Sequence, residues 1–562
     1  MRPVQSTAQD RPVDHIVVTA TRTERLQATA PTAVGVVDRA AIEDGRATVG
    51  LDEALRRVPG LFVQNSGNFA QDLRLQIRGF GARSAFGIRE IKVLVDGLPE
   101  TLPDGQTQID AIDLGAIERI EVLRRPAGAL YGNASGGVIQ LFTVEGRDEP
   151  WFAVRSLGGS FGLRKYQARG GGRSGGWKVV AHVARFETDG HRDQSASRST
   201  VGNLKLRYDF SERTDLTLLV NAVDAPLAED PGGLTRDEAD GDRTAARDLN
   251  VALDAGEAVR QARGGFVFHH RGDLGQLSAY TYVLYRDFEN RLPVRPEQGA
   301  GVVTFTRVSP GVGAQFATGY RLIGFDHDLL LGFDLQHQDD DRRRFANVAG
   351  ERGALLLVQR ERVTGIGGYV QHVVHLRDDL ELFGGVRFDS THFDVDVDFD
   401  ATDTPSAGAR TLDAWSPVGG VQMRAARWLS LFASVATAFQ TPTTTELADP
   451  DGGGFDPDLE PQSSLGYEAG GRVVTDRIRF GLVGFFLRVE DQIIRFEAES
   501  GRDAFRNAGR SRRFGIEADW QWAIGAGVEW TGALTWMESE FRDYATDAGD
   551  LAGNAEPGVP SW

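Results

Sequence analysis

The sequence predicts a transmembrane β-barrel preceded by a small mixed α/β domain, and three observations predict it. No run of about 18 apolar residues occurs anywhere, which excludes helical membrane spans. Beyond residue 150, segments of about ten residues with a period near two recur between turns, as in strands that cross a bilayer at a tilt. The connections alternate between short turns and long polar stretches, like the two rims of a membrane barrel. In lipid only helices or closed barrels satisfy every backbone group, so the barrel is the form left open.

Composition removes other classes. A hydrophobic fraction of 41% with 25% charged residues excludes wholesale disorder. The absence of cysteine excludes a disulfide framework, a thiol nucleophile and Cys-ligated zinc. A net charge of −18 with a pI of 5.1 opposes a nucleic-acid binder, which needs a basic face. Of the 62 basic residues only Lys92, Lys165, Lys178 and Lys205 are lysine, a bias that reads as a GC-rich genome.

Residues 15–145 read as the α/β unit. Short apolar runs (IVVTAT, TAVGVVD, LRLQIRGF, IKVLVDG, IERIEVLRR, GGVIQLFTV) alternate with turn signals. One helix is expected after Thr48 as N-cap, with Leu51, Leu55 and Val58 on one face and Pro59-Gly60 as its stop. A second short turn is expected near Asp113–Ile117.

From residue 151 the strand candidates include 177–186, 215–224, 277–288, 329–338, 380–389, 429–439, 478–493, 514–522 and 528–541. Short turns fall at 274–276 and 377–379, and long polar loops are expected at 187–199, 225–257, 339–362, 390–411 and 440–464. A soluble β-propeller would show a repeat of about 40–50 residues, and none is visible. Phe439, Phe496, Trp520, Trp522 and Trp530 fall near strand ends, as interfacial girdles do.

Several ordered stretches then carry a resemblance. IRGFGAR (77–83), VLVDGLP (93–99), IERIEVLRRP (117–126) and ALYGNASGGVIQLFT (129–143) resemble the plug domain of TonB-dependent outer-membrane receptors. DEALRRVPGLFVQ (52–64) resembles that plug's helix and following strand, and DHIVVTATR (14–22) resembles a TonB box. ASVATAFQTPTTTEL (433–447), DPDLEPQSSLGYEAG (456–470) and FRNAGRSRRFGIEADW (505–520) resemble barrel stretches of the family. One departure is Arg125, where the family usually has Gly.

The resemblance implies a Gram-negative outer-membrane location and a barrel of about 22 strands with a plug in its lumen. It divides the chain into an extension with the TonB box (1–22), a plug (23–148) and a barrel (149–562). About 17 or 18 strand candidates follow residue 150, so the last strands of the barrel are expected to be missing here. The polar start and the Pro/Gly-rich end likewise read as clipped, without a signal peptide. The implied partners are TonB with its ExbB/ExbD energising complex and outer-membrane lipid. The implied activity is uptake of a ferric siderophore or a ferric citrate-like chelate. GFGARSAFGIR and TLPDGQ are similar to the branch that takes up pyrroloquinoline quinone, which stays open as the alternative ligand. A passive porin is the remote alternative, and it lacks both plug and TonB box.

The TonB-binding segment is Asp14, His15, Ile16, Val17, Val18, Thr19 and Ala20, since an extended β-branched segment can add to a partner's sheet edge. The same residues can instead be the first strand of the plug. Arg78, Gly79, Asp96, Gly97, Gly132, Gly136 and Gly137 are expected as structural plug positions. Arg78, Arg83, Arg89, Asp96, Glu118, Glu121 and Arg124 are expected along the plug–barrel boundary, either as mutual ion pairs or with Arg83, Arg89 and Gln106 presented to an anionic ligand. Arg suits a carboxylate because its fork donates two parallel bonds.

Other motifs are read as structural. The GFG and ASGG runs lack the GK[ST] of a phosphate cradle. His269-His270 and His372/His375 face opposite sides of a strand, so no metal site is expected. Asp394, Asp396, Asp398 and Asp400 share one strand face, expected toward solvent or lumen, and DDDRRR (339–344) reads as a self-neutralising loop. No nucleophile–base–orienter constellation stands out, so neither catalysis nor a cofactor is expected. Val17→Pro removes a donor and fixes φ. In a cell-based assay it should abolish uptake while ligand binding persists; unchanged uptake would remove the TonB-box assignment.

Overall fold

The computed structural model describes residues 17–19, 22, 25–64, 67–82, 84, 87–401, 407–449, 454–497, 503–525, 527–546 and 549–562. The N-terminal part opens on a two-residue ladder between β1 (Val17–Val18) and β2 (Arg25–Leu26). β3 (Val34–Asp38) leads into α1 (Arg39–Glu43), whose first turn is capped by the Asp38 carboxylate accepting from the Ala41 N–H at 2.9 Å.

The expected helix after Thr48 is present but shorter. α2 spans Asp52–Leu55, and Thr48 is not its cap. Thr48 takes φ +57°, and the Glu53 carboxylate accepts from the Thr48, Val49 and Gly50 amides instead. A carboxylate reaching back to the orphan N–H groups does the capping that a hydroxyl was expected to do. Leu51, Leu55 and Val58 are buried together as their spacing predicts.

β4 (Leu61–Gln64) pairs with β5 (Arg74–Ile77). β6 (Ile91–Val95), β7 (Leu98–Pro99), β8 (Ile117–Leu123) and β9 (Gly137–Thr143) join β3 in a sheet of order β3-β8-β9-β6-β7. Only β6 and β9 run parallel. Between β8 and β9 lies α3 (Gly128–Tyr131). Ile42, Leu55, Ile77, Val93, Ile120 and Ile139 are fully buried between this sheet and the helices. The turn expected at Asp113–Ile117 is a 3-10 turn over Leu114–Ala116, with the Asp113 side chain accepting from Gly115 N–H.

Among the described residues beyond 150, 17 strands form one antiparallel sheet, from β10 (Trp151–Gly158) to β26 (Val528–Asp543), each bonded to its neighbour in sequence, and a two-residue ladder of β27 (Ala545–Thr546) with β28 (Gly549–Asp550) follows it. The family resemblance implies more strands, about 22. Side chains alternate along each strand. In β18 (Phe325–Val348), Leu331, Phe333 and Leu335 point outward and are exposed, while Asp334, Gln336, Gln338 and Asp340 point inward and are buried. This is the lipid-out, polar-in alternation of a membrane barrel, with the N-terminal domain occupying the polar side. Trp522 and Trp530 are exposed at the short-turn rim, with ring centroids 6.3 Å apart and planes tilted by 51°. Phe439 is buried and does not belong to such a girdle.

The turns at 175–176, 212–213, 273–274 and 427–428 are short, and on the opposite rim the connections 189–196, 230–255 and 441–461 are long. The loop 230–255 carries α4 (Arg236–Gly241) and α5 (Asp248–Ala252). Two expected loops are mostly strand. β18 and β19 (Glu351–Arg377) are joined by a two-residue turn at Ala349-Gly350, so 339–362 is a paired hairpin. β20 (Leu380–Asp400) and β21 (Gly408–Ala426) likewise absorb most of 390–411.

The physical reason is cross-strand neutralisation. Asp340 pairs with Arg307 of β17 (Val302–Leu322) through two bonds of 2.7 and 2.6 Å, and Asp339 and Glu361 pair with Arg360 and Arg342. Opposite charges facing each other stabilise a ladder that polarity alone would assign to a loop. The row Asp394, Asp396, Asp398 and Asp400 lies on the outer face of β20 rather than in the lumen, and Arg362 bridges its first two members. Phe333 sits centrally in the outward apolar row, so Phe333→Arg should cost about 2–4 kcal/mol if that row lies at the bilayer midplane. Equilibrium unfolding in lipid vesicles checks it.

Candidate functional site: the interface between plug and barrel

The inward face of the sheet meets the N-terminal domain through buried charge. Arg78 follows β5 with φ +50°. That conformation aims its guanidinium at two barrel carboxylates. It donates to Glu517 Oε1 and Oε2 at 2.7 and 3.0 Å and to Glu468 Oε2 at 3.3 Å. Glu468 lies on β23 (Gln462–Val474) and Glu517 on β25 (Asp503–Gly525). Arg124 donates to Glu517 at 2.8 Å and to the Pro59 carbonyl, and Thr32 donates to Glu468 at 2.7 Å. The side chains of Arg78, Arg124, Glu468 and Glu517 are at most 3% exposed. The Phe485 ring lies 4.3 Å from the Arg78 guanidinium.

The expected structural positions sit around this network. Gly79 (φ +82°) brings the backbone against Arg513, whose guanidinium pairs bidentately with Glu556 at 2.7 and 2.6 Å. Burial pushes the Glu556 carboxyl up, but Arg513 and the hydrogen bonds from Ser539 and Gln492 outweigh it and hold the carboxyl down at about 2. A Cβ on Gly137 (φ +130°) would lie 2.0 Å from the Leu123 carbonyl, so only glycine fits where β9 starts. Asp96 and Gly97 form the turn between β6 and β7, and the Asp96 carboxylate accepts from Thr143 N–H and Lys205. Gly132 approaches Asp389 of the barrel and Gly136 approaches Phe80. Arg125 is buried against the Phe383 ring at 5.8 Å, and burial lowers its pKa.

At the apex, Arg89 is buried rather than presented. It donates to Glu446 at 3.0 Å and to the Thr441 carbonyl at 2.8 Å, which ties the plug to the loop 441–461. Gln106 is half-buried in a turn where its N–H reaches the Asp104 carboxylate. Arg83 lies outside the described residues, as do Asp14, His15, Ile16 and Ala20 of the expected TonB-binding segment.

Of that segment, Val17 is 41% exposed while Val18 is fully buried against Leu94, Leu123, Leu130 and Tyr131. Thr19 donates its N–H to Glu121 at 2.7 Å. Arg22 lies over the Tyr131 ring at 4.3 Å, 3.6 Å from Asp334, and Arg25 pairs with Glu381 of β20. Sequence reasoning placed Arg78, Glu121 and Arg124 at the boundary but missed Arg22 and the barrel partners Asp334, Glu468 and Glu517. The signal was an acid at inward parity in strands such as FGIEADW.

The comparisons follow this geometry. Residues 157–562 match the family described as TonB dependent receptor-like, beta-barrel, and residues 27–138 match the TonB-dependent receptor plug domain. The chain is a member of the TonB-dependent receptor family. A hemin receptor of Yersinia enterocolitica is 27% identical over 466 residues, covering 79% of this chain and 61% of that protein. The vitamin B12 transporter BtuB of Vibrio vulnificus is 35% identical over 153 residues, covering 27% of this chain and 24% of that one. The chain therefore spans about three-fifths of the length of the hemin receptors it matches. Among solved structures, the unliganded ferric citrate transporter FecA superposes with a TM-score of 0.79 at 19% identity, over 95% of this chain and 81% of that one. The ferric yersiniabactin uptake receptor FyuA of Yersinia pestis gives 0.73 at 17%, over 94% and 82%. Barrels of this family belong to the Gram-negative outer membrane, and the family comprises receptors and transporters.

Two outcomes test this site. Glu517→Gln leaves two buried guanidiniums short of a charge partner, so the plug should lose about 3–5 kcal/mol. The plug transition in urea should move down while the barrel transition stays. Burial pushes the Lys92 ammonium down to about 8. The unfolded chain then binds more protons from about pH 8 to the ordinary lysine value, and stability rises with pH across that window. Lys92→Met should flatten that rise in unfolding measured as a function of pH.

Proposed function

We propose that this receptor imports an anionic iron chelate, a ferric siderophore or ferric citrate-like complex, across the outer membrane. The energy comes from TonB with ExbB/ExbD, drawn through the N-terminal segment. The observation that carries this reading is a plug fastened in the lumen by buried ion pairs, with strand β1, exposed at Val17 and buried at Val18, leading into it. Such a plug blocks passive flow, so passage needs work delivered from outside the barrel. Once β1 leaves β2, it is a segment that a partner's sheet edge can take up.

At the apex, an anion arriving at Arg89 competes with Glu446 and loosens the tie to the loop 441–461. Arg83 and Gln106 are the neighbouring ligand contacts in this reading. The wall above is rich in Arg beside aromatic rings, with Arg307 lying 4.7 Å from the Phe305 ring and Phe305 stacked on Phe288. Guanidiniums beside stacked rings suit a flat or aromatic anion. Hemin is a second reading, supported by likeness to hemin receptors over 79% of the chain.

The test is growth-linked uptake in a receptor-null host, with and without TonB, of ferric citrate, ferric siderophores, hemin and pyrroloquinoline quinone. TonB-dependent uptake of an iron chelate supports the reading. Uptake of pyrroloquinoline quinone alone would replace the substrate, and TonB-independent flow would make the protein a passive channel.

A further inference from the structure

Among the described residues, the ion pairs between plug and barrel divide by polarity. On β11 (Arg164–Ser174), β13 (Ser197–Ser211), β15 (Gly256–Gly272) and β16 (Gly275–Arg291) the barrel side is the cation. Lys165 meets Asp113 at 2.5 Å, Arg169 meets Glu43 at 3.0 Å and Lys205 meets Asp96 at 3.2 Å. Arg263 meets Glu100 at 2.6 Å and Arg286 meets Asp110 at 2.8 Å. From β18 to β25 the barrel side is the acid. Asp334, Glu381, Glu446, Glu468 and Glu517 each meet an arginine of the plug or its N-terminal segment.

While the plug is seated, each of these wall charges has a partner on the plug or its N-terminal segment. Where the plug draws away from the β11–β16 wall its acids leave and that wall becomes cationic; drawing away from the β18–β25 wall would bare acids instead. Rings of Lys and Arg select anions in pores, and a low-dielectric wall focuses that field. We propose that the anionic solute passes the plug along the β11–β16 wall, which turns cationic on opening, while the Glu517 anchor and α3 stay fastened to the opposite wall. This rests on the uptake reading above.

Three further observations favour the same side. First, in a chain with 62 basic residues and four lysines, Lys165, Lys178 and Lys205 all lie on the inward face of β11–β13. Lysine is a point charge that exchanges partners more freely than a bidentate guanidinium. Second, a small, mainly apolar cavity of about 30 Å³ already lies between plug and wall here, with Asp96, His182, Asn203, Lys205 and Asn221 among its lining residues. Asn221 Oδ1 is buried there without a hydrogen-bond partner. Third, the opposite side is held by Glu517 between two arginines and by α3 packed across β20 to β22 (Leu429–Gln440). Releasing Glu517 would strand two buried arginines at once, whereas Arg169–Glu43 on the β11 side is a single pair about a quarter exposed.

The charge-swapped variant Glu43→Arg with Arg169→Glu keeps the pair but turns one of the five wall cations into an anion. Expected is a tenfold or greater fall in TonB-dependent uptake of the anionic chelate, with surface binding as in wild type; wild-type uptake overturns the proposal. A cross-link control uses the cysteine-free chain. Ala111→Cys with Asn221→Cys, where Asn221 reaches the Ala111 carbonyl at 2.9 Å, should stop uptake until reduced. Undiminished uptake by the cross-linked form overturns the proposal. A readout without uptake separates this from failure of the proposed function. In planar bilayers, with the plug partly displaced by urea, wild-type conductance should favour anions, and the charge swap should shift the reversal potential toward cations. Cation selectivity in wild type, or no shift, refutes it.

Discussion

Everything else in this molecule depends on the Arg78–Glu517 ion pair and the charges gathered round it. A lumen lined by polar side chains cannot hold a plug by apolar contact alone. Glu517 accepts from Arg78 and Arg124 together, and Glu468 accepts from Arg78 and Thr32. Each member is nearly water-free, so removing any one strands the others in a low-dielectric site. The cost of disassembly, more than the net gain on assembly, keeps the plug in one orientation.

That constraint reaches back to the backbone. Arg78 and Gly79 both take positive φ, so the chain turns sharply after β5 and delivers the guanidinium to the wall. Phe80 then packs against Phe485, Leu487 and Met537, an apolar contact that the turn makes available. Beyond this anchor the interface is a set of single ion pairs whose sign depends on the side of the lumen. The family fold specifies a plug within a barrel.

The sequence carried the architecture because barrel strands announce themselves locally. Alternation, turn residues and the lack of apolar runs are properties of neighbouring residues, and the plug strands β3, β5, β6, β8 and β9 fall where their apolar runs place them. Where polarity stood in for loop, as at DDDRRR, it misled. The partners that make those charges tolerable in a strand lie across the ladder, on Arg307 and Arg360. The helix after Thr48 was legible through Leu51, Leu55 and Val58, yet its cap was not, because Glu53 reaches back across five positions.

By itself the sequence determined the class of fold, the order of its parts and which plug residues are charged or must be glycine. These follow from periodicity, backbone sterics and ordered motifs. Only the tertiary structure decided that Arg89 faces Glu446, that Arg22 enters a cage of tyrosine and aspartate, and that wall charges separate by sign. Those pairings join residues hundreds of positions apart, as with Arg78 and Glu517. No local pattern encodes them, because each side of a pair is ordinary until strand register brings it opposite the other.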